Sequence, residues 1–86
     1  MVFYNSIPEE QETQVWFDYF QKSASIYTSK KSIYKRLQKE LGIPNKVDKI
    51  AGEIAGGTWV ISFNDRKRLR SAIALQILLG KIGKNN

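Results

Sequence analysis

The chain contains no cysteine and no histidine in its 86 residues. At that length the first absence governs what it can fold into. Without disulfide staples or thiolate metal sites, one hydrophobic core must hold it. A chain this short buries only about 60–65% of its unfolded surface, so a single small domain, 1–86, is expected. Hydrophobic residues at 42% are enough for such a core and argue against wholesale disorder.

Glycine, proline and capping residues divide the chain into helices. Ser6-Ile7-Pro8-Glu9 has the spacing of a capping box, and Val15, Trp16, Tyr19 and Phe20 follow at helical intervals. This predicts a first helix that fades near 22–24. A second helix is expected after Thr28 or Ser29, with Ile33, Tyr34, Leu37 and Leu41 on one face. Gly42 then suits a left-handed stop and Pro44 blocks continuation. Val47, Ile50, Ala51 and Ile54 predict a third helix over 46–55, capped by Asn45 and ended by Gly56-Gly57. Residues 58–63 alternate and are rich in β-branched and aromatic side chains, so they read as a strand. Its expected partner is 2–4, in a short two-stranded pairing. A fourth helix is expected over 65–82, capped by Asn64.

The expected fold is therefore mainly α: a small four-helix domain with a helix-turn-helix-like hairpin at 29–55. With the 2–4 and 59–63 pairing it would be winged-helix-like.

Catalysis is not expected. Histidine, the commonest general base, is absent. No serine is marked as half of a Ser-Lys pair. Gly52-x-x-x-Gly56-Gly57 lacks the Lys-Ser/Thr of a phosphate loop. No carboxylate cluster has calcium-site spacing. No cofactor and no metal is expected. The longest apolar stretch, 72–79, is interrupted by Gln76 and is too short to span a membrane. Residues 1–5 lack the basic and apolar regions of a signal peptide, so a cytoplasmic location is expected.

Charge carries the functional reading. The 14 lysines and arginines all follow position 21, while Glu9, Glu10, Glu12 and Asp18 precede it. Lys30, Lys31, Lys35, Arg36 and Lys39 would cover the outside of the second helix, beside Tyr27 and Tyr34. Arg66, Lys67, Arg68 and Arg70 crowd the start of the fourth, where the helix dipole disfavours cations and favours phosphate. Lys46 and Lys49 would sit on a recognition helix in the major groove. These ten positions (Lys30, Lys31, Lys35, Arg36, Lys46, Lys49, Arg66, Lys67, Arg68, Arg70) are the candidate nucleic-acid contacts.

The expectation is a small basic regulator or nucleoprotein component binding double-stranded DNA, of the kind plasmids and viruses use. It would dimerise through the apolar helix 65–82. Two other readings remain. One is a protein-binding module (an inhibitor, immunity or assembly protein) that docks an acidic partner through its polarised charge. The other is a membrane-surface protein using the fourth helix.

Overall fold

The computed structural model describes residues 3–4 and 11–83. In chain order the elements are β1 (Thr13–Asp18), β2 (Ser23–Thr28), α1 (Lys31–Leu41), β3 (Lys46–Ile50), β4 (Glu53–Ser62) and α2 (Arg66–Gly83). The strands form one antiparallel sheet in the order β1-β2-β4-β3. Both helices pack on the sheet and on each other, enclosing a single core.

Alternation builds that core. In β2, Ala24, Ile26 and Thr28 are buried while Ser23, Ser25 and Tyr27 are only half-buried. In β4, Trp59 and Ile61 are fully buried opposite Ile26 and Ala24. Val15 and Phe17 of β1 continue the same layer. Tyr34, Leu37 and Leu41 of α1, with Ala72 and Leu75 of α2, close it from above.

This is an α+β fold, not the mainly α four-helix domain that periodicity predicts. Residues 13–18, assigned to a first helix, form β1. Trp16 and Phe17 point to opposite sides of the sheet, and pairing with β2 decides between two periods that a short apolar run satisfies equally. The turn into β2 is fixed locally: the Gln21 amide donates to Asp18 Oδ1 at 3.0 Å, and Lys22 takes φ +52°. The proposed capping box at 6–9 lies outside the described residues.

Residues 46–55 are not a recognition helix but the β3–β4 hairpin. Its turn, Ala51-Gly52, has φ of +52° and +82°. Positive φ at both central residues is what a two-residue hairpin with the native strand twist demands. The helix-turn-helix at 29–55 is therefore α1 followed by this hairpin, and the winged-helix reading falls with it. The expected strand at 58–63 is found over 58–62, as the end of the longer central strand β4, with Phe63 in the turn that follows. Its partners are β2 and β3 rather than residues 3–4; Val2 lies outside the described residues. Phe3 instead makes a parallel bridge to Ile54, at the other end of β4, where the Tyr4 amide donates to the Ile54 carbonyl at 2.7 Å.

The second and fourth helices stand close to where the sequence puts them. Gly42 ends α1 at φ +88°. The cap position of α1 is Lys30, without a side-chain cap; the Thr28 hydroxyl accepts the Lys30 amide at 3.1 Å. At α2 the capping carboxylate is that of Asp65 rather than the Asn64 side chain, accepting the Arg68 amide at 3.3 Å.

Gly56 and Gly57 do not stop a helix; they allow close packing within β4. A Cβ on Gly57 would lie 2.6 Å from the Tyr34 ring. Gly57→Ala should therefore destabilise the protein by about 1–3 kcal/mol through overpacking. Gly80→Ala, on an exposed turn of α2 with nothing within 4 Å, should be neutral or stabilising by up to about 1 kcal/mol. Urea unfolding of the two variants should show opposite signs.

Candidate nucleic-acid interface

The ten candidate cations do not form one surface. Lys31 and Lys35, with Lys39 beyond them, recur at every fourth residue of α1 and are exposed. They lie about 6 Å apart along the helix axis. The buried face of α1, with Tyr34, Leu37 and Leu41, is turned to the sheet, so this lysine row faces away from it. Lys30, Lys31 and Lys35 line one shallow hollow of 470 Å³ together with Gln11 and Ser32. None of these lysines is in an ion pair among the described residues. Arg36 differs: its Nε donates to Glu40 Oε2 at 3.2 Å, one turn along.

The cluster at the start of α2 separates by helix face. Arg68 shares a stripe with the buried Ala72 and Leu75, so it points inward. Its guanidinium donates to the Leu41 carbonyl at 2.9 Å, and it faces Asp65 Oδ2 at 3.5 Å. Leu41 is the last residue of α1, whose terminal carbonyls have no partner within the helix. Arg68 thus caps one helix from the first turns of the next. It is a joint between α1 and α2, with its side chain still partly exposed. Its spacing of four and seven residues from Ala72 and Leu75 is the signal that places it on the core-facing stripe. Arg66 and Arg70 lie on another face beside Phe63, Leu69 and Ile73, and Lys67 is exposed.

Lys46 and Lys49 are far less concentrated than a recognition helix would make them. Both stand on the edge strand β3, where Lys46 faces Asp48 at 3.9 Å. Lys46 pairs with Thr58 and belongs to the sheet face that no helix covers.

Sequence reasoning missed this open face, because it exists only once four strands are aligned. Two rows cross it. Gln14, Tyr27, Thr58 and Lys46 are neighbours in register, as are Trp16, Ser25 and Val60. Trp16 is 45% exposed there. Burial first, and then the carboxylates of Asp48 and Glu12, raise the Tyr27 phenol above its ordinary pKa. Tyr27 therefore stays neutral and able to donate. The face offers aromatic and hydrogen-bonding groups but little net positive charge, since Asp48 faces Lys46 and Asp18 follows Gln14 and Trp16 on the same side of β1.

The helical side is electrostatically different. Along α1 and the start of α2, nine cations meet two carboxylates, Glu40 and Asp65, and each carboxylate is already paired with an arginine. Among the described residues no group of three or more acidic side chains is placed to hold a metal ion, and no helix is long and apolar enough to cross a membrane. No family model matches the chain, and neither the curated proteins nor the solved structures include a match to it.

The two groups of cations should behave differently on mutation. Arg68→Met should cost about 1–3 kcal/mol in urea unfolding, because it leaves the Leu41 carbonyl without its charged donor. Lys67→Ala, on the exposed face, should stay within about 0.5 kcal/mol of the parent.

Proposed function

We propose that this chain binds nucleic acid through its phosphate backbone, with the lysine row of α1 as the contact surface. One observation carries the reading: Lys30, Lys31 and Lys35 line a common hollow and none is neutralised by an ion pair among the described residues. Three ammonium groups held together repel one another, so the arrangement costs stability unless an anion occupies it. Lys39 extends the row by one turn, and Arg66, Lys67 and Arg70 offer further cations at the start of α2. Glu12 is brought near α1 by its backbone bonds to Ser29, which lowers but does not cancel the local charge. Such a surface contacts phosphate without reading bases. DNA duplex is the ligand to test first, since it presents the densest regular array of phosphates.

The open sheet face supports a second reading. Exposed Trp16 beside Tyr27, Gln14 and Lys46 offers stacking and hydrogen bonding of the kind that strands bring to a groove or to unpaired bases. This face and the lysine row of α1 lie on opposite sides of the sheet, so one duplex segment would not touch both.

Fluorescence anisotropy with a labelled random duplex and a labelled single strand, each at several salt concentrations, tests both readings. Replacing Lys31, Lys35 and Lys39 by alanine should reduce the magnitude of the duplex salt slope by about 2–3, near 0.9 for each lost phosphate contact. Trp16→Ala should leave that slope unchanged. A slope unaffected by the triple substitution but a loss of affinity with Trp16→Ala moves the interface to the sheet. Absence of binding at low salt ends both readings.

A further inference from the structure

An apolar groove opens where the β1–β2 turn meets α2. Its floor is Phe63, Leu69 and Ile73. Phe17 and Tyr19 form one wall around a cleft of 270 Å³. Arg66 and Arg70 form the other, around a second cleft of 340 Å³ that shares the same three floor residues. The aromatic wall is held by ring contacts: Tyr19 meets Phe63 edge-on at 5.7 Å, and Phe17 lies 6.5 Å from the same ring. Tyr19 is 77% exposed, and Ile77 continues the stripe of Ile73 one turn along α2. Aromatic and aliphatic side chains this exposed and this close together mark an interaction surface rather than scattered surface residues.

We propose that this groove docks an acidic amphipathic peptide segment of a partner protein. Apolar side chains of the segment fill the floor, and its carboxylates meet Arg66 and Arg70. Charge selects this occupant. A second copy of the chain would bring a rim of arginines against a rim of arginines, which opposes self-association here. A nucleotide would satisfy the arginines through its phosphate. The several hydrogen-bonding groups of its base would then enter a cleft lined by Phe17, Tyr19, Phe63, Leu69 and Ile73, where the Tyr19 hydroxyl is the one side-chain partner, and burying the rest unpaired is costly. A peptide side chain of carbon alone carries no such cost, and arginine pairs with carboxylate through two parallel hydrogen bonds. The proposal goes beyond the nucleic-acid reading and does not depend on it.

The test uses the full chain and a fluorescein-labelled peptide in which leucine and phenylalanine recur at helical spacing between glutamates. The counterpart has every glutamate replaced by lysine. The acidic peptide should bind saturably and at least tenfold more tightly than the lysine version. Its amide NMR perturbations should centre on residues 63–73. Ile73→Asp should weaken it at least tenfold while leaving the duplex salt slope unchanged, which separates this site from the lysine row of α1. Arg66→Gln with Arg70→Gln, both at exposed positions, should weaken it as well and serves if Ile73→Asp fails to fold. The proposal is overturned if the two peptides bind alike or if the perturbations fall elsewhere. It is equally overturned if phosphatidylserine vesicles, a single-stranded oligonucleotide or a second copy of the chain occupies residues 63–73 and the acidic peptide does not.

Discussion

Burial of one indole organises this molecule. Trp59 stands on the central strand β4, is fully buried, and lies opposite Ile26 of β2. Its ring meets Tyr34 of α1 edge-on at 5.2 Å. A buried indole must find an acceptor for its N–H. Trp59 Nε1 donates to the Gly42 carbonyl at 3.0 Å, which fixes where α1 ends relative to the sheet. Gly57, two residues earlier on the same face, has no side chain because Tyr34 occupies that space. Arg68 then ties the other side of the same corner, from α2 to the Leu41 carbonyl. The two helices and the central strand therefore meet at the C-terminal end of α1, where two hydrogen bonds satisfy the Gly42 and Leu41 carbonyls while Arg68 Nε is buried without a partner among the described residues.

That corner explains how the charge is distributed. With the helices committed to one face of the sheet, their outer surfaces take the cations and the opposite sheet face takes the neutral polar groups. One arginine is drawn inward as a structural donor, and its neighbours Arg66 and Arg70 are turned toward the apolar groove. A run of basic residues contiguous in sequence thus serves separate physical ends. Position on the helix, not charge, decides which residue serves which.

Some of this architecture is legible before folding. The α1 helix reads clearly because its apolar face repeats three times and Gly42 supplies a conformation other residues avoid. The β4 strand reads over 58–62 because alternation and β-branching agree. The β1 and β3 strands do not, for a common reason. Val15-Trp16 and Tyr19-Phe20 satisfy helical spacing as well as Val15 and Phe17 satisfy alternation. Val47, Ile50, Ala51 and Ile54 likewise match a helix, although Ala51-Gly52 is a turn. In short segments the two periods overlap, and the choice passes to neighbours distant in sequence. Of the candidate contacts, the exposed lysines of α1 were visible as a charged helix face. The inward course of Arg68 and the open face around Trp16 were not.

By itself the sequence determined an apolar core without disulfides, a basic body, two of the helices and one strand. Those properties depend on composition or on spacing within a dozen residues. Only the tertiary structure decided that residues 13–18 and 46–50 are strands, that Phe3 bridges Ile54, and which cations remain free. Each of those outcomes rests on hydrogen bonds or packing between residues far apart in the chain. Strand pairing in particular satisfies backbone groups only when a partner is present, so no property of the strand alone can announce it.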